Sequence, residues 1–190
     1  MTYAAERRPR LRAVPDPPPR EPSPAEGPDD PDADPESVAR AICLRMLTNR
    51  SCTRAELATE LRKRRVPADA AAAVLERFDD VGLIDDRAFA AAWVERQRRT
   101  RGLSRRALAA ELRRKGVTAE DIGDAVAVVT DEDERARAAE LVARKLPSMR
   151  HLERPKQVSR LVGMLARKGY GGEVAFGVVR EALDSNDLDD

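Results

Sequence analysis

Apolar and polar residues follow no regular period over residues 1–35. From Glu36 onward, apolar positions recur at the three- and four-residue spacing of amphipathic helices. Ala39, Ile42, Cys43 and Met46 make one such face. Thr53 and Glu56 then stand as a capping box, in which each side chain satisfies a backbone donor of the other at a helix start. Leu57 and Leu61 follow, and Arg62-Lys63-Arg64-Arg65 places cations where the helix dipole favours them. Pro67 suits the first turn of the next helix, which carries Val74, Leu75 and Phe78. Gly82 can take the left-handed conformation that closes that helix, and Asp85 can cap another. Residues 36–85 therefore read as three helices.

The unit recurs. Thr53–Val66 aligns with Ser104–Val117 and with Gln157–Tyr170. Leu57, Leu108 and Leu161 share one position, and Leu61, Leu112 and Leu165 another. Val66, Val117 and Tyr170 each follow the helix end, where an apolar residue folds back on the last turn. Leu75, Val126 and Val179 match on the third helix. Gly116 and Gly169 hold the C-cap, but Arg65 stands there in the first copy. Each copy is read as a long, a middle and a short helix. Modules of this size are marginal alone and share apolar surface with their neighbours. The expected fold is all-α: three tandem three-helix repeats in an elongated, curved body. The repeats occupy residues 36–85, 86–130 and 131–183, preceded by a disordered Pro- and acid-rich tail (1–35) and followed by an acidic tail (184–190).

Composition sharpens this picture. Ten of the thirteen prolines lie within residues 1–35, with five arginines against eight acids, so that segment lacks the apolar surface to offset ordering. The net charge of +1 hides an uneven distribution: both ends are acidic and the body is basic. Two cysteines do not make a disulfide framework, and no apolar run suits a membrane span or a secretion signal. The chain is expected to be cytoplasmic, monomeric and free of cofactors, with Cys43 buried and Cys52 an exposed thiol near a turn.

The densest charge is Arg96, Arg98, Arg99, Arg101, Arg105 and Arg106, with no acid among them. Arg113, Arg114 and Lys115 extend it. Guanidinium groups fork onto phosphates and carboxylates alike, so this set is the candidate site for nucleic acid or an acidic protein face. Arg105 and Arg106 lie in the first turn of a helix, where cations are unfavourable, a cost that binding would explain. A solvated, Arg-rich face is the plain alternative. Phe89 and Trp93 are spaced for core packing, and Asp85-Asp86 for a helix start, in preference to an interface anchor or a catalytic pair. His151 has no companion ligand, and neither a nucleophile elbow nor a phosphate-binding glycine loop occurs. Nothing in the sequence suggests an enzyme.

The run Gly82-Leu-Ile-Asp-Asp-Arg-Ala-Phe-Ala-Ala-Ala-Trp-Val94, followed by the Ser104–Val117 copy, resembles the bacterial RecX family of recombination regulators. The resemblance covers roughly residues 37–183. The third copy departs most, with Gly163-Met164 and a longer loop from Pro147 to Pro155. The resemblance implies a partner, the RecA recombinase polymerised on single-stranded DNA. It also implies inhibition of that filament's extension, ATP hydrolysis, strand exchange and co-protease activity, and so a part in homologous recombination and the SOS response. Weak contact with single-stranded DNA itself is expected beside it. DNA binding without RecA, through the arginine-rich helices, and a helical adaptor for another protein are the competing readings.

Overall fold

A computed structural model of the chain describes residues 34–189, with side chains described through Ser185. The expected disordered tail lies outside the described residues, except for Asp34 and Pro35. Among the described residues the chain forms nine α-helices and no strand. They are α1 (Pro35–Asn49), α2 (Arg54–Lys63), α3 (Ala68–Asp80), α4 (Asp86–Arg101), α5 (Arg105–Arg114), α6 (Ala119–Ala127), α7 (Asp131–Lys145), α8 (Arg154–Arg167) and α9 (Gly172–Asp189). A 3-10 turn, Leu146–Met149, follows α7.

Local chemistry sets the helix starts. Asp34, Thr53, Asp85, Ser104, Thr118 and Thr130 each accept, through the side chain, a hydrogen bond from the backbone N–H three residues on. The capping box of Thr53 and Glu56 forms as expected, and Thr130 with Asp133 forms a second. Pro67 stands at the N-cap of α3, one residue before the position its ring suggested.

Helices α1–α3, α4–α6 and α7–α9 each enclose their own apolar cluster, giving the three three-helix repeats. The aligned leucines are the centres: Leu57, Leu61, Leu108, Leu112, Leu161 and Leu165 are all fully buried. Truncating any one to alanine should cost about 2–5 kcal/mol, the range for a buried leucine that leaves a cavity. Leu75 and Val179 are buried on the third helices, while Val126 is half-buried. The expectation of a short third helix holds only in the second repeat: α3 has 13 residues against 10 in α2, and α9 has 18. Its backbone stays helical through the residues read as an acidic tail, up to Asp189.

The middle helices end alike. The N–H groups of Val66, Val117 and Tyr170 donate to the carbonyls of Leu61, Leu112 and Leu165 at 3.1, 3.2 and 3.1 Å. This closure needs a positive φ in the preceding residue: Arg65 has +59°, Gly116 +79° and Gly169 +92°. Arg65 accepts a conformation that costs an L-residue about 1–2 kcal/mol. The two glycines have a further reason to be there, because the preceding repeat presses on them.

Candidate partner-binding surface

The second and third repeats each set the C-terminus of their middle helix against the start of the previous repeat's middle helix. At the first junction Thr53 Oγ1 donates to the Lys115 carbonyl at 2.6 Å, and a Cβ on Gly116 would collide with Ala55. At the second, Ser104 N–H donates to the Lys168 carbonyl at 3.0 Å, and a Cβ on Gly169 would collide with Ser104 and Ala107. Arg65 is exposed, and among the described residues no repeat packs against it.

Much of the arginine cluster serves the second junction. Arg105 pairs with Glu134 at 3.0 Å and with Asp131, both on α7, which offsets the local cost of a cation in the first turn of α5. Arg106 Nε donates to the Gly169 carbonyl at 3.2 Å. Arg137 Nη2 donates to the Arg99 carbonyl at 3.0 Å, and Lys168 Nζ to the Arg101 carbonyl. Burial, followed by the charges of Arg144, Arg101 and Arg137, pushes the Lys168 ammonium below its usual range. The Tyr170 hydroxyl donates to the Gly102 carbonyl at 3.2 Å, and burial pushes it up to about 12. Arg98 lies 3.9 Å from Asp133, and Arg101 pairs with Glu111 within its own repeat at 2.7 Å.

Lys115 serves the first junction. Its ammonium reaches Glu56 at 2.8 Å, and Arg50 reaches the same carboxylate at 2.7 Å. Burial works to raise the Glu56 carboxyl, but the hydrogen bonds from Lys115 and Arg50 win and hold it below the ordinary range. Asp86 accepts from the Arg54 N–H at 2.9 Å, while burial raises its carboxyl. It is thus more than a first-turn acid, since it ties α4 to α2.

Four members of the candidate set differ from the rest. Arg99, Arg113 and Arg114 are exposed and have no acidic partner among the described residues. Arg96 lies over the Trp93 ring, 4.8 Å from its centroid. Repeat register adds three further cations that the arginine run did not single out as contacts. Arg62 and Lys63 hold the places of Arg113 and Arg114 in the first repeat, and Arg167 holds that of Arg114 in the third. All three are exposed. The signal for them was the repeat alignment, because each had an adequate local explanation in the helix dipole.

Beside the first junction lies a cleft of about 1000 Å3, bounded by Leu47, Leu83, Phe89, Trp93, Arg96 and Lys115, with Ser51 and Arg50 at its edge. Phe89 and Trp93 stack at 5.8 Å between centroids, and Lys115 Nζ stands 4.3 Å from the Trp93 centroid. The indole N–H is shielded and has no acceptor among the described residues. Trp93 packs, partly buried, against the core of its own repeat as expected, and its remaining face lines the cleft. Cys52, expected as an exposed thiol, is buried and donates to the Arg50 carbonyl at 3.4 Å. Burial pushes the Cys43 thiol up to about 11. No group of three or more metal-ligating side chains occurs among the described residues. No described helix is long and apolar enough to cross a membrane.

Comparison with known proteins places this architecture. Three family models match in order: RecX, first three-helix domain over residues 39–78, second over 85–126 and third over 131–179. The chain is 54% identical over 160 residues to the "Regulatory protein RecX" of Streptomyces coelicolor, covering 84% of this chain and 85% of that one. It is 45% identical over 167 residues to the protein of that name from Thermobifida fusca, covering 86% and 90%. Among solved structures, RecX from Lactobacillus salivarius superposes with a TM-score of 0.71 at 20% identity, over 78% of this chain and 97% of that one. That last likeness speaks to the fold alone.

Proposed function

This chain belongs to the RecX family of regulatory proteins, and from that premise we propose that it binds the RecA filament on single-stranded DNA and inhibits its recombinase, ATPase and co-protease activities. In this role it modulates homologous recombination and the DNA-damage response without chemistry of its own. The observation that carries the reading is the presence of all three family domains in order, joined in one register. A repeated module suits a repeated partner, because several weak contacts made together give avidity without one strong pocket. The cations with no internal carboxylate are the ones available to such a partner. Arg99, Arg113 and Arg114 lead, with Arg62, Lys63 and Arg167 in equivalent positions. Arg105 and Lys115 serve the junctions first.

The test is single-stranded-DNA-dependent ATP hydrolysis by the cognate RecA during titration with this protein. Inhibition at or below one protein per recombinase subunit is expected. It should weaken in an Arg99→Ala/Arg113→Ala/Arg114→Ala variant of unchanged helix content. Full hydrolysis with the parent protein at saturation would overturn the proposal.

Direct binding to single-stranded DNA is the second reading, favoured by the same three unpaired arginines. Phosphate contacts release counterions, so the triple variant should flatten the salt dependence of log K by roughly 2 if all three meet a single strand. A slope that stays the same leaves the arginines to a protein surface.

A further inference from the structure

The two junctions are built in one register, but the same place is filled differently in each. Ala39, Ala90 and Ala138 are fully buried at equivalent points of α1, α4 and α7. Three residues on stand Ile42, Trp93 and Leu141, and one residue before stand Val38, Phe89 and Arg137. Ahead of the middle helices, Ser51 in the first repeat corresponds to Gly102 in the second.

At the second junction this place is closed. Leu141 Cδ1 lies 3.1 Å from where a Cβ on Gly102 would stand, Arg137 hydrogen-bonds the Arg99 carbonyl, and Tyr170 reaches the Gly102 carbonyl. At the first junction the equivalent residues, Ser51, Phe89 and Trp93, line the open cleft instead. Val117 holds the position of Tyr170 and has no hydroxyl to carry across. Leu83 at the rim is 48% exposed, and neighbouring Val81 is exposed as well.

The lining indicates what would enter. Lys115 and Arg96 both stand over the Trp93 ring, so the aromatic surface is already engaged by cations and offers poor stacking for a nucleobase. What stays open is an aliphatic wall of Leu47 and Leu83. Three cations, Arg50, Arg96 and Lys115, adjoin it. Two acids adjoin it as well: Glu56 binds both Arg50 and Lys115, and Asp85 is committed to capping α4. Arg96 has no carboxylate partner among the described residues. An apolar wall beside a net positive rim complements an apolar side chain flanked by carboxylates.

We propose that the cleft between the first two repeats, walled by Leu47, Leu83, Phe89 and Trp93 and edged by Arg96, is a docking site for an acidic, leucine-bearing segment of a partner protein. The site deepens the functional reading above and rests on its premise that the partner is a protein. Segment binding places an aliphatic side chain against Leu83 and a carboxylate on Arg96, much as Leu141 and the α7 acids fill the second junction.

Trp93 is the only tryptophan of the chain, so its emission reports on the cleft directly. The probe is a twelve-residue, end-blocked peptide with two leucines four apart among aspartates and glutamates, titrated into the full chain up to millimolar concentration. Controls are the same peptide with lysine replacing every acid, and oligo(dT). The expected result is a saturable change in emission with the acidic peptide alone. It should weaken at least fivefold in Leu83→Asp and in Arg96→Glu, both exposed positions where helix content by circular dichroism should hold. No change with the acidic peptide, an equal change with the lysine peptide or oligo(dT), or a response indifferent to Leu83→Asp would overturn the site. These outcomes are independent of ATPase inhibition by the parent protein, so failure of the cleft is distinguishable from failure of the filament reading.

Discussion

The junction between the second and third repeats is packed shut, whereas the one between the first and second is open on one side. Both use the same backbone device: a middle helix's C-terminus set against the preceding middle helix's start, with glycine where the two meet. They differ in what surrounds it. The second junction has Leu141 against Gly102, a buried tyrosine and cations tied to backbone carbonyls. The first has an aromatic pair under two cations and a carboxylate shared by two more contacts. One register can thus yield a structural seam and a surface available to a partner, according to which side chains decorate it.

The largest effect should come from breaking the closed seam. Leu141→Ala removes a buried leucine and should cost about 2–5 kcal/mol in denaturant unfolding, whereas Trp93→Ala should cost only about 1–2 because that ring is only partly buried. Equal costs would mean that the two places are packed alike. Next come the glycines. Gly116→Ala and Gly169→Ala combine a left-handed backbone with a collision and should each lose about 2–4 kcal/mol. Arg65→Gly, at an exposed helix end, should instead gain about 0.5 kcal/mol. Tyr170→Phe leaves the Gly102 carbonyl without its donor and should cost about 1 kcal/mol by the same measurement.

The smallest effect is one component of the pH dependence, the one that arises at the open junction. Glu56 is held below its ordinary value of 4.5, so its contribution is complete above that pH. It is lost as pH falls through the lower folded value. Unfolding followed between pH 6 and pH 3 should show that loss, and Glu56→Gln should remove this component of the slope while Glu134→Gln leaves it in place.

The helices and their grouping were legible because they rest on short-range signals. Thr53 with Glu56, Asp85 and Ser104 announce helix starts, and the leucines at 57, 108 and 161 announce the repeat. The junctions were not legible, because their hydrogen bonds end on backbone carbonyls of Lys115, Lys168 and Gly102, which carry no mark in the sequence. For the same reason Arg105 and Arg106 read as binding cations. Their partners, Asp131, Glu134 and the Gly169 carbonyl, come from the next repeat. One clue did lie in the sequence: glycine at positions 116 and 169 against arginine at 65 separates repeats that are pressed from behind from the one that is not. Trp93 was legible as packing on its own repeat's core, but helical spacing does not tell whether a neighbouring repeat covers its other face.

The most direct test of the central claim is the affinity of the fluorescently labelled full chain for the RecA filament on single-stranded DNA, compared with the same DNA alone at physiological salt. The account predicts binding to the filament at least tenfold tighter than to bare DNA, with Leu83→Asp weakening only the former. Equal affinity for both, unchanged by that substitution, would contradict it and leave a DNA-binding protein that engages the filament only through its nucleic acid.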